Sequence, residues 1–171
     1  GFLVTVSVLS GLAILWIVGG YYQIRYYMLR GHEPETWKCQ PKRHLRKEQL
    51  HQAMRLSSLN LAIGGFLSGT FIWALLHDKF PIPIYLEVAE YGWVYTIFSS
   101  LLLFVLVDAL AYYAHRLLHV RFMFKRYHCW HHRYVATSPF AVTALHPVEF
   151  LISRGATFTP LLPIAVCAGP G

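Results

Sequence analysis

Long apolar stretches alternate with polar segments along the chain. Residues 2–22, 56–76 and 94–114 each form a mainly apolar stretch, and about 20 such residues are enough to cross a bilayer as a helix. A fourth stretch, 150–168, is interrupted by Arg154, Pro160 and Pro163, which predicts a broken, interfacial or re-entrant segment. The pattern predicts an all-α membrane protein with three to four transmembrane helices.

Composition supports this class. Hydrophobic residues make up 56% of the chain and charged residues only 13%, whereas a soluble domain carries roughly a quarter charged residues. The formal net charge is +7, from 15 Lys and Arg against 8 Asp and Glu. Because the basic residues flank apolar spans, we expect them to contact anionic lipid headgroups and to set the orientation of the chain in the membrane. We expect no nucleic acid partner.

The basic residues are distributed unevenly between the polar segments. Residues 25–55 hold eight Lys or Arg, whereas 77–93 hold only Lys79. By the positive-inside rule, the 25–55 loop and everything after residue 114 are cytosolic. We therefore divide the chain into an N-terminal transmembrane region, 1–93, with a basic cytosolic loop at 25–55, and a second domain, 94–171, whose histidine-rich helical cap faces the cytosol.

Six of the ten histidines fall between residues 115 and 146. His115 and His119 are one helical turn apart, and His128, His131 and His132 have the i, i+3, i+4 spacing of one α-helical face. Imidazole is a good ligand for iron, zinc, copper and nickel. Five imidazoles exceed what one tetrahedral ion takes, so the count favours two metal ions at the membrane surface.

Three further residues are candidates around this cluster. His146 is a weaker sixth ligand, because it could instead cap a helix or pair with Glu149. Asp108 lies two turns before the first clustered histidine, inside an apolar span where an ionisable group is costly, and Tyr112 lies one turn before it. We predict that Asp108 and Tyr112 support the metal-bound imidazoles through hydrogen bonds, and the alternative for Asp108 is an interhelical pair with an Arg or Tyr. The remaining histidines are expected to be solvated: His32, His44, His51 and His77.

The histidine motifs resemble those of the membrane-bound fatty acid hydroxylase superfamily. Residues 108–119, D-A-L-A-Y-Y-A-H-R-L-L-H, look like its first histidine box, and residues 128–132, H-C-W-H-H, look like its second. Residues 138–149 are similar to the stretch that follows in the sterol desaturase and 4-methyl sterol oxidase-like branch. The resemblance implies that 94–171 is a fatty acid hydroxylase-like domain with boxes at 115–119 and 128–132.

The resemblance also implies a function. Such enzymes are multi-pass proteins of the endoplasmic reticulum membrane that oxidise lipids with two iron ions, O2, and electrons from cytochrome b5 and its NAD(P)H reductase. His115, His119, His128, His131 and His132 would be iron ligands, and no catalytic residue beyond the ligands is expected. A sterol is the favoured substrate, and squalene, a fatty acyl chain and a sphingoid base remain alternatives, as do hydroxylation, desaturation and epoxidation.

Three other functions compete with this one. The family carries a further H-x-x-H-H motif downstream, and no histidine follows His146, so we expect either a fragment or a non-catalytic membrane relative. A zinc protease needs H-E-x-x-H, and Arg116 stands where that glutamate would be. A bis-imidazole haem protein is disfavoured because the histidines lie together at one end of a span.

Overall fold

The computed structural model describes residues 1–77, 79, 88–136 and 138–158. The described chain contains five α-helices and no strand, which confirms the predicted all-α class. The helices are α1 (Phe2–Tyr22), α2 (Lys47–Leu76), α3 (Gly92–Leu118), α4 (Arg121–Arg126) and α5 (Pro147–Phe158). Short 3₁₀ turns lie at Pro34–Thr36, Val88–Glu90, His128–Arg133 and Pro139–Ala141.

Within the described residues, three segments are long and apolar enough to cross a membrane: Phe2–Met28, Lys47–Leu76 and Gly92–Leu118. Each contains one of the three predicted stretches. Helix α5, which is described over 12 residues, covers only the start of the fourth stretch. Residues 159–168 of that stretch, and residues 78 and 80–87 of the 77–93 loop, lie outside the described residues.

Helices α1 and α2 pack as a close antiparallel pair. A Cβ atom added at Gly65 would lie 2.6 Å from the Cα of Val8, and one added at Gly69 would lie 2.6 Å from the Cα of Val4. Glycines four residues apart let two helix backbones approach in this way. The two helices therefore approach this closely only because Gly65 and Gly69 have no side chain.

Helix α1 continues into a π-helical turn, Gln23–Met28, in which the Leu29 N–H donates to the Ile24 carbonyl at 2.9 Å. The turn places Tyr26 and Tyr27 against Trp37, with ring centroids 5.4 and 4.9 Å apart. The Trp37 indole N–H in turn donates to the Arg30 carbonyl at 3.0 Å. The polar segment after α1 is thereby folded back against the end of that helix.

The segment before α5 is anchored on α2 by two fully buried side chains. The Ser57 hydroxyl donates to the Phe140 carbonyl at 2.6 Å, and the Asn60 amide donates to the carbonyls of Thr143 and Leu145 at 2.8 and 2.9 Å. Phe140 belongs to the hydrophobic core together with Leu15, Ala53 and Ala144. Because α5 follows directly and packs on α3, this anchor positions the start of α5 beside the histidines.

Candidate metal centre

The first two histidines of the cluster come from the end of α3. His115 lies in its last turn and His119 is its C-cap residue. Their Nε2 atoms are 3.2 Å apart, because residues four apart on a helix lie above one another. The two rings therefore present their Nε2 atoms to the same point.

The next three histidines lie on a 3₁₀ turn, His128–Arg133, and not on the α-helical face that their spacing predicted. Helix α4 ends at Arg126, and Tyr127, with φ −125° and ψ −55°, takes the chain out of the α-helix. Side chains three apart eclipse in a 3₁₀ turn, so the rings of His128 and His131 stack at 5.7 Å. The Nε2 of His132 lies 3.0 Å from that of His128.

Four Nε2 atoms thus form a continuous row, which we call the imidazole row: His115, His119, His128 and His132. The Nε2 atoms of His119 and His128, the two inner members, are 3.2 Å apart. Ligand atoms of the first three members all lie within 4.8 Å of one another.

This geometry fits a metal ion better than hydrogen bonds. An imidazole nitrogen carries either one hydrogen or one lone pair in the ring plane, yet each inner Nε2 has two neighbours. Aligned hydrogen bonds therefore cannot serve all the contacts, whereas a cation accepts every lone pair at once. Metal–nitrogen bonds of about 2.0–2.1 Å place adjacent ligand atoms roughly 3 Å apart, which matches the row.

A buried carboxylate stands behind the row. Glu149 Oε1 lies 2.7 Å from His128 Nδ1, and the two side chains are 3% and 0% exposed. The Nδ1–H donates to the carboxylate, which leaves the Nε2 lone pair of His128 directed at the row. A carboxylate in this position fixes the tautomer and orientation of a metal-binding imidazole.

Burial also sets the charge of this part of the site. Burial and, to a smaller extent, the neighbouring histidines together lower the pKa of His128 to about 4. Burial and the neighbouring His132 likewise lower the pKa of His131, and burial raises the pKa of Glu149. Both imidazoles are therefore neutral at neutral pH, which is the form that binds a metal ion.

His131 and His146 lie beside the row. His131 Nδ1 is buried and has no hydrogen-bond partner among the described residues. His146 packs against Tyr127 and Trp130, at 5.0 and 4.9 Å between ring centroids, and its Nδ1 accepts from the Val148 N–H. No ring nitrogen of His146 is within hydrogen-bonding distance of another described imidazole, so the structure gives it the capping contact at the start of α5.

The structure does not bring Asp108 and Tyr112 to the imidazoles. Asp108 is exposed and forms no hydrogen bond or ion pair with the described residues, and the Tyr112 hydroxyl accepts from Arg116 at 3.2 Å. Sequence reasoning missed the carboxylate that does contact the row, Glu149. The available signal was that Glu149 is the one acidic residue after Asp108.

A cavity of about 1050 Å³ lies beside the centre. His131 and His132 contribute to its wall, and most of the remaining lining is aromatic or apolar. Its aromatic members are Tyr22, Tyr26, Tyr27, Trp37 and Tyr134. Ligand-binding cavities are typically of this kind, with a few polar groups in an apolar wall.

The fold and the site define a class of protein: an all-α membrane protein with a histidine-rich candidate metal centre beside an apolar cavity. Comparison with known proteins shows which members of this class the chain is similar to. Residues 100–170 match the family model described as fatty acid hydroxylase. The matched region covers less than half of the chain and includes both histidine motifs, and the match supports their resemblance to the fatty acid hydroxylase superfamily and its sterol-oxidase-like branch. No solved structure matches the chain.

Several curated proteins are similar to part of the chain. A Delta(7)-sterol 5(6)-desaturase of Aspergillus fumigatus is 32% identical over 80 residues, 47% of this chain and 25% of that protein. A lathosterol oxidase of Rattus norvegicus is 35% identical over 68 residues, 39% of this chain and 23% of that protein. Methylsterol monooxygenase 2-2 of Arabidopsis thaliana is 32% identical over 84 residues, 48% of this chain and 28% of that protein. The chain thus matches about a quarter of the length of these relatives.

Proposed function

We propose that this chain is part of a membrane-bound non-haem iron oxygenase that oxidises a lipid. The observation that carries the proposal is the imidazole row, whose His128 is oriented by the buried Glu149 beside an apolar cavity. The named relatives are sterol desaturases and oxidases, which supports the same chemistry.

Two iron ions are proposed for the complete centre. His115, His119 and His128 offer three converging nitrogen atoms to one ion. His131 and His132, which line the cavity, are then available to a second ion, with His146 as a further candidate after a side-chain movement. Imidazole suits iron, and neutral imidazoles at neutral pH favour its binding.

The protein residues have distinct roles in this proposal. Bound iron supplies the activation of O2 needed to attack an unactivated C–H bond. Glu149 holds His128 in its binding tautomer, and the aromatic wall of the cavity excludes water and holds an apolar substrate. Because His131 and His132 form part of that wall, a lipid in the cavity lies against the metal centre.

The substrate is proposed to be a sterol. The three relatives described above carry sterol names, whereas a very-long-chain aldehyde decarbonylase of Oryza sativa subsp. indica, 32% identical over 90 residues, acts by its name on a different lipid. Squalene, a fatty acyl chain and a sphingoid base are therefore retained as alternative substrates for the same test.

We further propose that the protein lies in the endoplasmic reticulum membrane with its histidine centre on the cytosolic face. We also propose that cytochrome b5 and its NAD(P)H reductase supply the electrons. A small cleft that includes Arg133 of the histidine turn supports an acidic donor, because basic side chains line it and no carboxylate of the described residues does. Its basic members are Lys42, Arg43, His44 and Arg133. Complementary charge of this kind steers a protein partner to its binding surface.

The test is the iron content of the chain purified in lipid nanodiscs after loading with ferrous iron. We expect bound iron in the unchanged chain, loss of most of it in His119→Ala and His128→Ala, and no loss in the matched control His51→Ala, which alters an exposed histidine of α2. O2-dependent conversion of an added sterol would establish the substrate. Absence of iron from the unchanged chain would instead support a non-catalytic relative.

A further inference from the structure

Lys38 is a buried cation without a counter-charge. Its residue is only 6% exposed, and among the described residues no carboxylate oxygen lies within 4.0 Å of its ammonium group. A buried ammonium group is costly unless it is paired or well hydrogen-bonded. This position therefore needs a reason beyond packing.

The hydrogen bonds of Lys38 leave one donor uncommitted. Its Nζ donates to the Arg43 carbonyl, and it lies 3.4 Å from His44 Nδ1. His44 Nε2 is 3.0 Å from the Pro41 carbonyl and must donate to it, so Nδ1 accepts from Lys38. An ammonium group has three donors, and these contacts use two of them.

The lysine lies in the wall of the cavity that also reaches the metal centre. Its Nζ sits over the Tyr27 ring at 5.5 Å, and the guanidinium of Arg30, another lining residue, sits over the Tyr26 ring at 5.9 Å. Arg30 is already engaged by Thr36 and approached by Glu33. The cavity thus has a cationic end on the segment after α1 and an imidazole wall at His131 and His132.

We propose that Lys38 binds an acceptor oxygen at the polar end of an otherwise apolar lipid, and so sets how deeply that lipid enters the cavity toward the metal centre. The inference rests on the proposed function for the identity of the lipid as substrate. The acceptor is a hydroxyl group if the lipid is a sterol and a carboxylate if it is a fatty acid. Burial lowers the pKa of Lys38 because it disfavours the charged form. A hydrogen bond to an acceptor oxygen offsets part of that cost, which favours binding of the lipid.

The first test measures lipid binding to the metal-free chain in nanodiscs with three radiolabelled probes: cholestanol, cholestane, which lacks the hydroxyl group, and palmitate. Because no iron is present, failure of the proposed iron centre leaves this result unaffected. We expect Lys38→Met to weaken binding of an oxygen-bearing probe about tenfold or more, as for loss of one hydrogen bond to a charged donor. Cholestane binding should change less than about twofold, and Lys38→Arg should restore part of the loss.

The matched control is Lys47→Met, which removes an exposed lysine that does not line this cavity. A loss confined to cholestanol identifies the hydroxyl group as the acceptor, and a loss confined to palmitate identifies the carboxylate. The proposal is overturned if no probe is affected, if cholestane is weakened as much as the others, or if Lys47→Met has the same effect.

A second measurement leaves Lys38 unchanged and so does not depend on the folding of a variant. Cys39 is exposed and lines the same cavity. With the other two cysteines replaced by serine, a bound cholestanol or palmitate molecule should slow maleimide labelling of Cys39 severalfold. Unchanged labelling at saturating concentrations of both lipids contradicts a polar end at this site.

Discussion

Replacing Glu149 tests whether a carboxylate behind His128 controls the metal centre. Glu149→Gln keeps the size of the side chain and an acceptor oxygen for His128 Nδ1, but it removes the ionisable carboxyl group, whose pKa burial raises to about 7. Glu149→Leu removes the acceptor as well and leaves the Nδ1–H of a fully buried ring without a partner. The pair of variants therefore separates the effect on metal binding from the effect on folding.

The expected magnitudes follow from the geometry of this contact. Loss of the partner behind a metal-bound histidine lowers metal affinity about 10- to 100-fold, so Glu149→Gln should weaken ferrous iron binding within that range. An unsatisfied buried donor costs about 1–3 kcal/mol. Glu149→Leu should therefore also lower the free energy of unfolding of the metal-free protein by that amount, whereas Glu149→Gln should lower it by about 1 kcal/mol or less.

Iron affinity is measured by competition with a coloured chelator, and stability by unfolding of the metal-free protein in detergent. Glu48→Gln, in the exposed first turn of α2, is the matched control and should change neither quantity. Unchanged iron affinity in Glu149→Gln would refute the assignment of His128 as a ligand oriented through Nδ1. A comparable loss in Asp108→Asn would show that the sequence prediction of a supporting role for Asp108 holds after all.

Three further predictions concern stability. Gly65→Ala should destabilise the α1–α2 pair by about 1–3 kcal/mol because its Cβ meets the Val8 backbone. Gly20→Ala, which has open space around the new Cβ, should be neutral or stabilising. Thermal unfolding of both variants distinguishes them, and equal losses of stability would contradict the close approach of the two helices. Asn60→Leu should cost about 2–4 kcal/mol because it leaves two carbonyls without their donor, and retention of the wild-type unfolding temperature would show that water replaces the amide. Burial lowers the pKa of Lys38 from 10.5, so just below pH 10.5 the unfolded state binds more protons than the folded state and the free energy of unfolding should rise with pH. This rise should be absent in Lys38→Met, and a rise of equal size in that variant would assign the effect to another group.

Local patterns predicted the membrane helices and the first pair of histidines. Apolar content over about 20 residues is a property of the segment itself, and so the three spans could be placed before any contact was known. The spacing of His115 and His119 similarly sets their positions on one helix. The fourth apolar stretch was less informative, because prolines and an arginine interrupt it.

The rest of the site depends on contacts between distant segments. The departure from the helix at Tyr127 turned the expected α-helical face of His128 and His131 into a 3₁₀ turn. Glu149 reaches His128 across 21 residues, and no periodic pattern relates the two. The cavity likewise joins the segment after α1 to the histidine turn, a pairing that becomes visible only when the chain is folded.

The anchor between α2 and the segment before α5 has a consequence for biosynthesis. Ser57 and Asn60 bind carbonyls that lie 83 to 85 residues later in the chain. At about 5–20 residues per second, a ribosome needs roughly 4 to 17 seconds to supply those carbonyls after it has added Ser57 and Asn60. During that interval the nascent α1–α2 hairpin has two polar side chains on an apolar span without their final partners, and the histidine centre can form only after this delay ends.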